Sequence, residues 1–99
     1  MTYKLSQEAA MDLEYIFLYT VENWSTEQGN RYIDLILDEI EYLCINPNSG
    51  FNYNHVRIGY LRIKVKSHFI FYKVNEKRNE IEVIRILHQV MDLENQLNP

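Results

Sequence analysis

Cysteine, glycine, proline and histidine are all scarce in this chain of 99 residues, and each scarcity closes off a chemistry. The single cysteine, Cys44, has no partner for an internal disulfide; it falls on the apolar stripe of an expected helix and reads as a buried, inert thiol in a reducing compartment. Three isolated glycines cannot build a phosphate-cradling loop, and one cysteine with three scattered histidines cannot form a metal set at ligand spacing. No cofactor is expected. No apolar run approaches membrane-spanning length, and the opening M-T-Y-K-L-S-Q-E-A-A-M-D-L-E carries carboxylates where a signal peptide needs apolar residues. The expectation is a cytoplasmic protein with no membrane partner, folded as one domain over residues 1–99.

Positive charge is also in short supply, since the formal net charge is −4, which argues against a simple nucleic-acid binder. The total hides an asymmetry. Residues 1–50 hold two basic and nine acidic side chains, a net −7, whereas residues 51–99 hold eight basic and five acidic ones, a net +3. The second half is the one suited to an anionic partner, and the first half fits two helices with acidic outer faces.

Apolar spacing organises the chain. Thr2 to Leu5 alternate as a short strand, and Ser6 stands in N-cap position for a helix to about Asn23 with the stripe Ala9, Leu13, Ile16, Phe17, Thr20 and Trp24. Ser25-Thr26-Glu27-Gln28 has the pattern of a capping box, with Trp24 placed as the apolar half of a staple or as a core anchor. The second helix carries Gly29, Tyr32, Ile33, Ile36, Leu37, Ile40, Leu43 and Cys44 on one stripe, and Pro47-Asn48-Ser49-Gly50 stops it. Three strands are then expected over Val56 to Val65, His68 to Val74 and Ile81 to Leu87, joined by turns at Lys66-Ser67 and at residues 75–79. Strict alternation in the last of them puts Ile81, Val83, Arg85 and Leu87 on one face and Glu82, Ile84, Ile86 and His88 on the other. The fold class that follows is α+β: an N-terminal strand and a helical hairpin packed on one face of an antiparallel sheet, in the order β-α-α-β-β-β, with a short terminal helix from about Met91 to Leu97.

The residues able to carry chemistry are cations and aromatics of the second half, among them Arg57, Tyr60, Arg62, Lys64, Lys66, His68, Tyr72, Arg85 and His88. Such a set can cleave RNA without a metal if it supplies a base, an acid and cations for the phosphorane, and Arg57, Arg62, Arg85 and His88 are the candidates for that role. The plainer reading pairs Arg85 with a carboxylate and lets His88 end a strand. As a contact surface for a partner protein, the same region offers Tyr60, Arg62, Arg85 and His88.

Several stretches carry a resemblance over nearly the whole chain: Y-K-L-S-Q-E-A-A-M-D-L-E-Y-I, Y-T-V-E-N-W-S-T-E-Q-G-N-R-Y, N-P-N-S-G, V-R-I-G-Y-L-R-I, S-H-F-I-F-Y-K-V and V-I-R-I-L-H-Q-V-M-D. In this order they resemble the ParE-type toxins of the RelE/ParE superfamily, the toxin halves of bacterial type II toxin-antitoxin pairs. The resemblance implies a ParD-like antitoxin encoded in the same operon, contact with operator DNA only through that antitoxin, and DNA gyrase as the target. A RelE-like alternative, a metal-independent, ribosome-dependent mRNA endonuclease, uses basic residues and sometimes a histidine and tyrosine at the sheet. Gln89 follows His88 where a tyrosine would serve that alternative, and the acidic balance also favours the gyrase branch. A third implication is a toxin fold kept only as a partner-binding module.

Overall fold

The computed structural model describes residues 1–91 and 93–97, and Asp92, within the expected terminal helix, lies outside them. The elements are β1 (Thr2–Leu5), α1 (Gln7–Asn23), α2 (Thr26–Ile45), β2 (Phe51–Asn52), β3 (Leu61–Val65), β4 (His68–Asn75), β5 (Glu80–His88) and α3 (Leu93–Leu97). Both long helices begin where a serine can cap them. The Ser6 hydroxyl accepts from the Ala9 N–H at 2.9 Å, and that of Ser25 accepts from the Gln28 N–H at 3.1 Å.

The strands lie in the order β1-β5-β4-β3-β2. Each neighbouring pair from β2 to β5 is antiparallel, but β1 pairs in parallel with β5, Thr2 opposite Glu80 and Leu5 opposite Val83, so the expected antiparallel sheet is mixed at one edge. The helical hairpin covers one face. Ile36, Ile40 and Leu43 of α2 and Ala9 and Ile16 of α1 pack there on Ile70, Tyr72, Ile81, Val83 and Ile86. Each fully buried aliphatic side chain contributes about 1.5–3 kcal/mol over its exposed state. The hairpin closes tightly because Gly29 has no side chain: a Cβ there would stand 2.9 Å from Val21 Cγ2 and 3.1 Å from Phe17. On the other face a smaller cluster of Tyr53, Phe71, Leu87 and Leu97 is flanked by Val56, Tyr60, Phe69 and Leu93.

Several expectations are corrected. Strict alternation in the last strand fails because Phe71 faces Arg85 while its neighbour Tyr72 faces Val83, which leaves Ile84 as the extra residue of a β-bulge. The bulge puts Val83 and Ile86 both on the hairpin side, turns Leu87 to the other face, and sets Arg85 opposite Phe71, from where its guanidinium reaches round the strand edge to Asp12. Residues 56–60 are a loop rather than the start of a strand, because the Asn54 Oδ1 accepts the Gly59 N–H at 2.7 Å and Gly59 adopts φ +86°. Trp24 is not a core anchor: it is 63% exposed, and the helix position a staple would need is Gly29, which offers nothing to pack on. Cys44 is half-buried rather than fully buried as expected, and burial raises its pKa.

Candidate functional site: an aromatic groove along the helical hairpin

α1 has a second apolar stripe besides the one in the core. Met11, Tyr15, Leu18 and Tyr19 follow helical spacing on its outer side, all at least half exposed. Tyr15 and Tyr19 stack with centroids 6.4 Å apart, and Tyr19 meets the Trp24 ring at 6.2 Å. These rings wall a groove of about 1090 Å³, whose other wall is Tyr32 and Leu35 of α2 and whose floor includes Thr20, Ile86, His68 and His88. Arg31, Lys66 and Gln28 also line it, and Val90 and Met91 border it just beyond β5. Contiguous exposed rings of this kind on a small protein mark a surface that another molecule covers.

The polar groups beneath the groove are already committed to one another. The Ser67 N–H donates to the Tyr32 oxygen at 3.3 Å, and the Tyr32 hydroxyl shares a hydrogen bond of 2.7 Å with His68 Nδ1. Burial lowers the His68 pKa to about 4, with the nearby His88 adding to the effect, so His68 is neutral near pH 7. The His88 ring meets His68 edge-on at 5.1 Å, and its Nδ1 accepts the Val90 N–H at 3.2 Å. Burial likewise raises the Tyr32 pKa, so its hydroxyl stays protonated.

Arg85 is clamped rather than free. Its Nε and Nη2 donate to the two oxygens of Asp12 at 2.8 and 3.0 Å, and the same carboxylate accepts the Ile86 N–H at 2.9 Å. Asp12 of α1 thereby caps the stretch of β5 that continues past the end of β1, and it raises the Arg85 pKa by hydrogen bonding. Ser6 completes the seal, accepting from Ala9 while donating its hydroxyl to the carbonyl of the bulge residue Ile84 at 2.6 Å.

The structure separates the residues singled out from the sequence into distinct neighbourhoods. His88 lines the groove, and Arg85 is turned onto Asp12. The Arg62 guanidinium lies on the opposite face of the sheet, 4.9 Å above the Tyr53 ring and 4.4 Å above Phe69, with the Lys64 ammonium 5.9 Å from Phe69. Arg57 and Tyr60 belong to the loop that follows β2. Tyr72 is fully buried, its hydroxyl donating to the Pro47 carbonyl and accepting the Gly50 N–H, both at 2.9 Å. The groove aromatics Tyr15, Tyr19 and Trp24 were not among the candidates, although the i, i+4, i+7, i+8 spacing of Met11, Tyr15, Leu18 and Tyr19 is a legible signal for a second buried face. Among the described residues no group of histidine, cysteine and carboxylate side chains is placed to hold a metal ion.

Comparison with known proteins agrees with this architecture. Residues 3–93 match the family model described as the ParE toxin of the type II toxin-antitoxin system parDE. Toxin ParE1 of Caulobacter vibrioides is 36% identical over 90 residues, covering 91% of both chains, and Toxin ParE1 of Mycobacterium tuberculosis is 34% identical over 95 residues, covering 96% of both. A solved chain titled "Chromosomal ParDE TA system from P. aeruginosa" superposes with a TM-score of 0.76 at 21% identity over 89% of this chain and 95% of that one, a likeness of fold. With a family model spanning nearly its whole length and relatives above one-third identity across it, the chain belongs to the ParE toxins of type II toxin-antitoxin systems.

Proposed function

We propose that this toxin stops growth by binding DNA gyrase and blocking replication, and that a ParD-like antitoxin from the same operon silences it by filling the aromatic groove. The observation that carries the antitoxin half is the unpartnered wall of Tyr15, Tyr19 and Trp24 facing Tyr32 and Leu35, whose width and apolar character suit an amphipathic segment that orders as it docks. Action by binding is supported by the state of the groups a ribonuclease would need. Arg85 is neutralised by Asp12, His68 is neutral with Nδ1 occupied, and Arg57 and Arg62 lie away from His88, so the four residues that would share the work of RNA cleavage do not meet at one point.

The test is a supercoiling assay with purified gyrase, toxin and the protein encoded beside it. Toxin alone should abolish supercoiling and raise the amount of cleaved-DNA complex, and the antitoxin should restore activity. Unchanged supercoiling and cleavage would sink the gyrase reading. Transcript cleavage on induction, lost in His88→Ala, would replace it with the ribonuclease.

A further inference from the structure

The face of the sheet turned away from the helical hairpin has a second recess, of about 430 Å³, lined by Asn54, Val56, Arg57, Ile58, Tyr60 and Lys73. Two of these six side chains are cationic and none is acidic. Arg57 Nε is buried and meets no acceptor among the described residues, an arrangement a protein tolerates where a ligand or water supplies one. Lys73 is aimed at the same recess: its Cε lies 3.5 Å from where a Cβ on Gly59 would stand, so its stem runs beneath the loop. Glu82, its register partner across the strand pair, is engaged by Asn75 at 3.5 Å and forms no ion pair with it among the described residues.

The loop that carries Arg57 is held by its own hydrogen bonds. Tyr53 N–H donates to the Tyr60 carbonyl at 2.8 Å, Tyr60 N–H to the Arg57 carbonyl at 3.1 Å, and Gly59 N–H to Asn54 at 2.7 Å. On the same face Arg62, seated over two rings, and exposed Lys64 prolong the positive surface, and neither forms an ion pair among the described residues. The acidic residues that give the chain its negative total are concentrated in residues 1–50, chiefly on the two long helices. Arg57, Arg62, Lys64 and Lys73 therefore outnumber the two strand carboxylates, Glu80 and Glu82, that share this face of an acidic protein.

We propose that Arg57 and Lys73 form an anion site that takes one phosphate of a DNA backbone, with Arg62 and Lys64 serving the neighbouring phosphates. A lone phosphate would need only the recess; the cations beyond it call for an anion that repeats. Resting on the gyrase reading, the DNA is the duplex that gyrase holds, and the overall negative charge makes binding of free duplex weak at physiological salt and measurable at low salt.

Two measurements on the full-length toxin test this. In the first, the Arg57 Nε–H resonance is followed by nitrogen-15 NMR as inorganic phosphate and then a 30-base-pair duplex are added. In the second, anisotropy of the labelled duplex compares the wild type with Arg57→Gln, Lys73→Gln and the exposed-turn control Lys77→Gln across a salt series, with circular dichroism to check folding. The expected result is a shifted Arg57 resonance with both ligands, about tenfold weaker duplex binding for each recess variant and none for the control. Each recess variant should also lower the slope of log affinity against log salt by about one. A stationary Arg57 resonance, or recess variants indistinguishable from Lys77→Gln, overturns the site; a response to phosphate with no loss of duplex binding reduces it to a free-anion site and overturns the DNA assignment, as does tighter binding of single-stranded RNA than of duplex. If gyrase is unaffected by the toxin while the recess variants still lose duplex, the phosphate site stands and the gyrase reading alone falls.

Discussion

Replacing Asp12 with alanine removes three hydrogen bonds with one change, two from the Arg85 guanidinium and one from the Ile86 N–H. The pair is mostly but not wholly buried, with side-chain exposures of 21% for Arg85 and 14% for Asp12. Breaking a fully buried pair costs about 3–5 kcal/mol through the stranded charge, but Arg85 can turn partly to water, so about 2 kcal/mol is the fitting figure for that loss. The orphaned Ile86 N–H adds about 1 kcal/mol. A total near 3 kcal/mol moves the melting temperature of a domain this size down by about 12–20 °C. Asp12→Asn keeps an acceptor for Ile86 and should lose about half as much, while Arg85→Met leaves Asp12 bonded to the backbone and should cost less than Asp12→Ala. Urea unfolding followed by far-ultraviolet circular dichroism is the suitable assay, because exposed Trp24 is a poor reporter of the core. An Asp12→Ala midpoint within about 0.5 kcal/mol of the wild type would refute the view that this carboxylate holds α1 to the strand edge.

Three further outcomes are expected. His68 is lowered to about 4 from its ordinary 6.5, so the unfolded chain takes up its proton first as pH falls. Stability is full above pH 6.5 and declines between about 6.5 and 4, by about 2 kcal/mol after allowance for partial exposure; urea midpoints at stepped pH should flatten over that window in His68→Gln. Gly29→Ala should destabilise by about 1–3 kcal/mol despite alanine's helix preference, since the new methyl meets Val21 and Phe17 inside contact distance; a rise in melting temperature would contradict the close helix approach. Trp24→Ala should leave stability within about 0.5 kcal/mol while weakening antitoxin binding roughly thirtyfold by calorimetry, and the reverse pattern would return Trp24 to the core.

The periodic parts of this fold are legible in the sequence and its irregular parts are not. Ser6 and Ser25 mark both helix starts, the stripe from Gly29 to Cys44 is buried or half-buried throughout, and the turn at Lys66-Ser67 joins two strands as expected. A bulge breaks alternation without altering composition, so nothing in I-E-V-I-R-I-L-H shows that Ile84 would be the extra residue and that Arg85 would change face. Arg85's partner was foreseeable only as some carboxylate, because 73 residues separate it from Asp12. Trp24 misleads because a ring beside a helix cap is normally an anchor, and the glycine that denies it a partner serves the helix crossing instead. The basic residues were read as one set, although the sheet sends Arg62 and His88 to opposite sides.

The parallel pairing of β1 with β5 has a temporal consequence. β1 finds its neighbour only in a strand made much later, with Ser6 donating to a carbonyl 78 positions further along the chain. While the ribosome is still synthesising residues 1–79, the hairpin lacks Ile81, Val83 and Ile86, and the Arg85 that Asp12 will hold does not yet exist. So distant a closure is slow in comparison with the helices, which form from local contacts. The growing polypeptide therefore cannot close its sheet until β5 has been made, and a message cut short before it yields a fragment without the strand that joins β1 to β4. A cell that makes this toxin meets the finished surface only after β5 has joined the sheet, when a waiting antitoxin can cover it.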